Sequence, residues 1–170
     1  MGASNSKIKL IIGLGNPDGA YKNTYHNIGF LTMDYLNSKL PIPLLKTDVY
    51  MNESGKFVKS AIKKYNIKID QMLIIQDDSD LTLGNYKISF DRGSAGHKGI
   101  ESIMNILKTK KFWRLRIGIR PLAYTDQRGL IRGPARKKAG EFVLKKITAQ
   151  HRALLAKTFE KILLELTKAI

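Results

Sequence analysis

Ile8-Lys9-Leu10-Ile11-Ile12-Gly13-Leu14-Gly15-Asn16-Pro17, followed by Tyr21 and by Thr24-Tyr25-His26-Asn27-Ile28-Gly29, decides how this chain is read. A short apolar run ending in glycine is a buried strand by its length and flanks. The Gly/Asn/Pro turn leads to Thr24, which can cap a helix whose apolar face is Ile28, Leu31, Tyr35 and Leu36. His26 is therefore expected in the first turn of a helix, just beyond the end of a strand. A histidine there can simply satisfy the helix end, but packing does not require one. It is a candidate base.

Strands and helices alternate outward from this unit. The prolines of Pro41-Ile42-Pro43-Leu44-Leu45 push a second strand toward a sheet edge. Ser54–Tyr65 reads as a helix with Phe57, Val58, Ala61, Ile62 and Tyr65 on one stripe, and residues 72–75 as another buried strand. Gly84 precedes a fourth strand at Tyr86–Phe90. Ile100, Ile103, Met104 and Leu107 mark a third helix, and residues 115–119 a further strand. Leu155, Phe159, Ile162 and Leu166 mark an amphipathic helix over 148–170 that closes the core. This alternation predicts an α/β fold, a largely parallel sheet with helices on both faces. The 170 residues fit one domain, 1–170, with the polar residues 1–6 expected to be disordered.

Composition narrows the chemistry. The chain has no cysteine, which excludes thiolate nucleophiles, disulfides and cysteine-based zinc sites. No apolar run reaches membrane-spanning length and no signal-peptide core is visible, so a cytoplasmic setting is expected. Thirty basic against fourteen acidic residues leave a formal net charge of +16, a field that attracts polyanions, nucleic acid first. Arg120, Arg128, Arg132, Arg136, Lys137 and Lys138 concentrate it around a segment, 122–138, rich in glycine and proline and read as an electropositive loop.

In open α/β sheets functional residues gather beyond the carboxyl ends of strands. Asn16 follows the first strand, and Asn52 lies past the second. Asp77 and Asp78 follow the third, and Gly93-Ser94-Ala95-Gly96-His97-Lys98-Gly99 the fourth. Each alone is ordinary turn chemistry. Their coincidence on one edge argues for a site.

A dinucleotide fingerprint fails: Gly13 and Gly15 lead to Asp18 and Gly19 without the third glycine in place, and no acidic residue ends the second strand. A phosphate-binding P-loop is absent. Neither Ser54 nor Ser94 sits in a nucleophile-elbow sequence, so water is the more economical nucleophile, with His26 as general base and a carboxylate, Asp77 or Asp78, to orient it. The positive end of a helix would favour neutral imidazole, and a carboxylate partner would oppose that while setting the tautomer. Asn16 and Asn52 carry uncharged amides suited to a carbonyl or a developing oxyanion.

The run GLGNPDGAYKNTYHNIGF resembles the N-terminal signature of the bacterial peptidyl-tRNA hydrolases. The likeness extends in order to VYMNESG at 49–55, QDDSDLTLG at 76–84, GSAGHKG at 93–99 and FWRLRIGIRP at 112–121. The resemblance implies hydrolysis of the ester between a peptide and the terminal ribose of tRNA. It also implies one αβα domain with a twisted mixed sheet, usually monomeric, without metal or cofactor and without an obligate protein partner. By position, His26 matches the family's catalytic histidine and Asp77 its partner. Asn16 and Asn52 match asparagines that position substrate and water, and Tyr21 and Met51 match substrate-channel residues. Arg116 falls where the family has a basic residue near the tRNA 5′-phosphate. The implied partner is peptidyl-tRNA, through its acceptor stem, CCA end and nascent peptide, and the C-terminal helix could border the peptide channel.

The chain departs from that pattern at named places. Lys98 stands at the position of a substrate-binding asparagine, where a cation could grip phosphate or polarise the ester and would depress the pKa of a nearby His26. Tyr25 replaces an arginine and Asp18 a glycine. The connection between the first helix and Met51 is shorter by about a hairpin, whereas the 122–138 segment is longer and is expected to add tRNA phosphate contacts. The alternative reading is a weakly active or non-catalytic tRNA- or RNA-binding platform on the same fold.

Overall fold

A computed structural model describes residues 7–121, 124–125, 128, 131–132 and 139–170. The expected disorder of 1–6 and the positions of Arg136, Lys137 and Lys138 lie outside the described residues. Strand β1 (Leu10–Gly13) is buried throughout and pairs in parallel with β2 (Leu44–Lys46) and β3 (Met72–Thr82). β3 pairs in parallel with β5 (Trp113–Arg120), and β4 (Tyr86–Phe90) runs antiparallel along the outer side of β5. The sheet order β2-β1-β3-β5-β4 gives the expected mixed, mostly parallel sheet.

Period-two alternation sends successive strand residues to opposite faces. Ile11, Ile75, Leu115 and Ile117 pack beneath α1 (Ile28–Leu36) and α5 (Ala149–Ala169), together with Leu155, Phe159 and Ile162. Leu10, Ile12 and Ile74 face α2 (Ser54–Tyr65) and α3 (Lys98–Leu107), where Val58, Ile100 and Ile103 meet them. Fully burying each such side chain is worth about 1.5–3 kcal/mol. These two cores make the three αβα layers, and α5 is the closing helix expected over 148–170, with Thr148 accepting the His151 N–H at its start.

Several boundaries differ from the sequence reading. β2 begins only at Leu44, because Pro41 and Pro43 have no N–H to give; the Pro43 carbonyl still accepts from Ile11 N at 3.2 Å. It lies at the sheet edge, as expected. β3 continues seven residues past Ile75, since β5 supplies a partner as far as Asp78 and again at Thr82 beyond an irregularity. Asp77 and Asp78 are thus strand residues, not loop residues. The 122–138 segment, read as a loop, contains a small antiparallel ribbon of β6 (Tyr124–Thr125) and β7 (Ile131–Arg132).

A close helix–strand contact sets the site. A Cβ on Gly29 would run into the Leu14 carbonyl oxygen and stand 2.8 Å from that of Ile75, so only glycine lets α1 rest on the ends of β1 and β3. The turn ahead of α1 is carried to the same place.

Candidate active site

His26 does not lie in the first turn of α1. It is the middle residue of a 3-10 turn, Tyr25–Asn27, that precedes the helix, and Thr24 makes no side-chain cap; its hydroxyl donates to Tyr21 O instead. The His26 N–H donates to Val143 O at 2.8 Å, which ties the turn to the segment after α4 (Ala139–Phe142). From there His26 Nδ1 meets Asp77 Oδ1 at 3.0 Å. With the Nδ1 proton given to a carboxylate, Nε2 is the nitrogen with a free lone pair.

Asp77 is 3% exposed, and the same oxygen receives a second imidazole, His97 Nε2, at 2.9 Å. His97 Nδ1 accepts from Ile100 N at 3.4 Å at the head of α3, which fixes its proton on Nε2. Burial alone would raise the Asp77 pKa, but the electrostatic pull and hydrogen bonds of the two histidines hold it well below the ordinary carboxylate range. For His26, burial works downward, yet the hydrogen bond and charge of Asp77 outweigh it and the pKa is raised. Of the opposing pulls expected on His26, that of the carboxylate prevails: His26 precedes the helix proper, and Lys98 pairs with Glu101.

Asn16 is held rather than free. Its N–H donates to Asn27 Oδ1 and its C=O accepts from Asn27 Nδ2, both at 2.9 Å, and its Oδ1 accepts from Met51 N at 2.7 Å. That last bond fixes the amide's orientation and leaves Nδ2 as the group offered to the cavity. Asn52 is exposed on the 3-10 turn Met51–Glu53, and its side chain makes no hydrogen bond to other described residues. Together with His26, Asp77, Met51, Tyr21 and Lys98, both asparagines line one cavity of about 470 Å³. Tyr21 and Tyr50 meet edge to face at 6.5 Å in its lining, which also includes Leu144, 51% exposed.

Arg116 is the exception. It lines a neighbouring cavity of about 310 Å³ on the α2/α3 side of the sheet, with Arg92 and Arg114. Its Nε donates to Asp78 Oδ2 at 2.6 Å. Arg114, 2% exposed, donates to Gly93 O at 3.0 Å, and its Nε has no partner. Burial, with the like charges of Arg116 and Arg92, lowers its pKa to about 10 against the pull of Asp78. Three guanidiniums against one carboxylate leave this cavity in want of an anion.

Lys98 lines the main cavity, but its ammonium turns to Glu101 Oε2 at 3.1 Å, and its side chain is 73% exposed. The 91–99 loop also arrives by an unexpected route. β4 is antiparallel, so its carboxyl end, Phe90, lies beside Trp113 at the start of β5. The chain returns along the sheet, pinned by Arg114, through left-handed Ala95 (φ +50°) and Gly96 (φ +80°), to deliver His97. Strain of that kind concentrates at functional sites.

His97 is the residue that sequence reasoning passed over. The signal was present, a histidine inside the GSAGHKG block, but only the fold brings it to Asp77. The three groups could also hold a metal ion, since one ligand atom from each of His26, Asp77 and His97 lies within 4.8 Å of the others. As arranged, the set is a base whose tautomer is set by a buried anion, beside two amides able to meet an oxyanion. That equipment suits addition of water to an acyl carbon.

The family model described as peptidyl-tRNA hydrolase matches this chain over residues 10–46 and 38–170. Its two segments overlap within the connection between α1 and α2, the stretch expected to be short. A peptidyl-tRNA hydrolase of Sulfurihydrogenibium sp. is 37% identical over 163 residues, covering 84% of this chain and 86% of that one. One from Prochlorococcus marinus is 32% identical over 182 residues, covering 94% and 86%. The crystal structure of peptidyl-tRNA hydrolase from Acinetobacter baumannii superposes with a TM-score of 0.81 at 27% identity, covering 99% of this chain and 90% of that one.

Proposed function

This chain belongs to the peptidyl-tRNA hydrolase family, and on that premise we propose that His26, Asp77, Asn16 and Asn52 carry out its reaction. The reaction is hydrolysis of the ester bond of peptidyl-tRNA, which releases peptide and free tRNA. The supporting observation is the convergence of His26 on buried Asp77 in the cavity that both asparagines line.

His26 Nε2 takes a proton from water while the water oxygen bonds to the ester carbonyl carbon. The carbonyl electrons move onto oxygen, and Asn16 Nδ2 and the Asn52 amide donate to that oxyanion. Asp77 stays ionised and steadies the imidazolium, which it can do because its pKa is so far depressed. As the tetrahedral intermediate collapses, the ester C–O bond breaks and the imidazolium proton goes to the departing ribose oxygen. Water has been split across the ester, and His26 is neutral again.

Tyr21, Met51 and Tyr50 form the wall suited to the nascent peptide and the CCA end. The arginine cavity beside it suits a phosphate, and Arg116 is assigned to the 5′-phosphate of the acceptor stem, with Arg92 and Arg114 adding to the field. Lys98 sits at the rim, placed for a substrate oxygen once it leaves Glu101. In this reading the chain is a cytoplasmic monomer that needs no obligate protein partner. Among the described residues no helix is long and apolar enough to cross a membrane.

Peptide release from an N-blocked aminoacyl-tRNA, compared between wild type and His26→Ala, tests the assignment. The variant is expected to lose on the order of 10²–10⁴ in kcat, the usual worth of a general base. Equal turnover by the two proteins would remove His26 from the mechanism. Tight tRNA binding without turnover by wild type would favour the RNA-platform alternative.

A further inference from the structure

Two imidazoles aimed at one carboxylate oxygen form an unusual concentration of metal-ligating atoms in a chain without cysteine. We propose that His26, Asp77 and His97 bind a single divalent transition-metal ion of the Zn²⁺ or Co²⁺ kind, and that its binding silences the hydrolase. The binding half stands on geometry alone. The silencing half rests on His26 being the base.

Imidazole nitrogen and carboxylate oxygen are the ligands such ions take, and two histidines with one acid is a common three-ligand set that leaves a position for solvent. Metal–ligand bonds of about 2.0–2.1 Å put neighbouring ligand atoms of a tetrahedral site about 3.3 Å apart. His26 Nδ1 and His97 Nε2 already stand 3.0 and 2.9 Å from Asp77 Oδ1, and all three ligand atoms lie within 4.8 Å of one another, so a closing of the His26–His97 edge by at most about 1.5 Å turns the hydrogen-bonded set into a coordinating one. The chain's third histidine does not compete on equal terms: His151 Nδ1 is engaged by the Tyr25 hydroxyl at 2.5 Å.

The proton count explains why an ion here would inhibit. To ligate through Nδ1, neutral His26 must move its proton to Nε2. The imidazole stays neutral, but the nitrogen facing the cavity becomes a donor and cannot take a proton from water. His97 undergoes the mirror shift, its proton moving from Nε2 to Nδ1, which ends its acceptance of the Ile100 N–H and sets a cost on binding. An ion at this site therefore converts the base to the wrong tautomer without a change of fold.

The test uses the intact chain. Zn²⁺ titration by calorimetry and Co²⁺ visible absorption are measured for wild type, His97→Gln, Asp77→Asn and His151→Gln, each checked by circular dichroism for a native fold. One ion per chain is expected in wild type and in His151→Gln, with Co²⁺ bands of four- or five-coordination. Affinity should fall at least about tenfold in His97→Gln and in Asp77→Asn. Hydrolysis of N-blocked aminoacyl-tRNA by wild type, with free Zn²⁺ set by a chelator buffer, should decline in step with occupancy and return on adding EDTA. Absence of binding, binding that survives in both His97→Gln and Asp77→Asn, or full turnover at saturating Zn²⁺ would each overturn the proposal. Metal-free wild type is assayed first: if it does not turn over, the catalytic assignment fails, and the binding measurements still decide the site.

Discussion

Asp77 and Asp78 are neighbours in sequence, yet their carboxylates meet different partners. Both are buried in β3, at 3% and 7% exposure, but strand alternation turns them to opposite faces of the sheet. Asp77 shares the α1 face with Ile75 and receives His26 and His97. Asp78 shares the α2/α3 side with Gln76, pairs with Arg116 and accepts from Asp80 N. One carboxylate tunes a base, and the other partly neutralises a cluster of arginines. A step of one residue along a strand thus sends one carboxylate to the histidines and the other to the arginines, although Gln76, Asp78, Ser94 and Ala95 line both cavities.

The largest expected break comes from Asp77→Asn. It removes the anion that raises the His26 pKa and fixes its tautomer, so kcat should fall by on the order of 10²-fold or more. The pH profile gives a second sign. Because only neutral His26 is a base and its pKa is raised, the wild-type kcat/KM should climb with pH through a value above the ordinary 6.5 or so. In Asp77→Asn the residual activity should have that limb displaced to lower pH. An unmoved limb would show that the coupling between Asp77 and His26 does not govern catalysis.

Asp78→Asn should leave the limb in place and act on stability instead. It removes a charge-assisted hydrogen bond to a largely buried guanidinium, and a loss of about 1.5–3 kcal/mol in denaturant unfolding is expected. A shifted pH limb would show that the two faces are electrically coupled after all.

Arg116→Gln probes the second cavity from its other side. KM should rise with kcat nearly kept, and the slope of log binding against log salt should fall by about 0.7–0.9, one phosphate's worth. A kcat loss without a KM change would place Arg116 in the chemistry.

The smallest effect is expected at Lys98, in the lining of the main cavity. Lys98 is exposed and paired with Glu101, so Lys98→Asn, which restores the residue typical of the family, should change kcat/KM by no more than about fivefold, one ordinary hydrogen bond. A tenfold or greater change would make Lys98 a principal substrate ligand.

Local pattern made much of the fold legible. The stripe of α2 and the glycine before β4 placed Ser54–Tyr65 and Tyr86–Phe90 where the structure has them. β3 was read short because Gln76-Asp77-Asp78-Ser79-Asp80 has no apolar period, and pairing with β5 overrides that composition. Asn16 and Asn52 were legible as cavity residues, but not that the Asn16 side-chain oxygen is committed to the Met51 N–H while the Asn52 side chain makes no hydrogen bond among the described residues. His97 went unread because its role depends on the direction of β4. An antiparallel partner sends the next loop back across the sheet, and no local pattern encodes that.

The sequence by itself determined the alternation of strands and helices, the basic excess, the absence of thiol chemistry, and a histidine and asparagines set at strand ends. Side-chain period, turn chemistry and composition are short-range properties, so a linear chain carries them openly. The residues read without the family resemblance left Asp77 and Asp78 open, and only the tertiary structure turned Asp77 toward His26, brought His97 to the shared oxygen, and let Asp77 raise the His26 pKa. Those outcomes depend on which face a strand residue takes and which charge lies within about 3 Å of another, quantities that exist only once distant segments have packed.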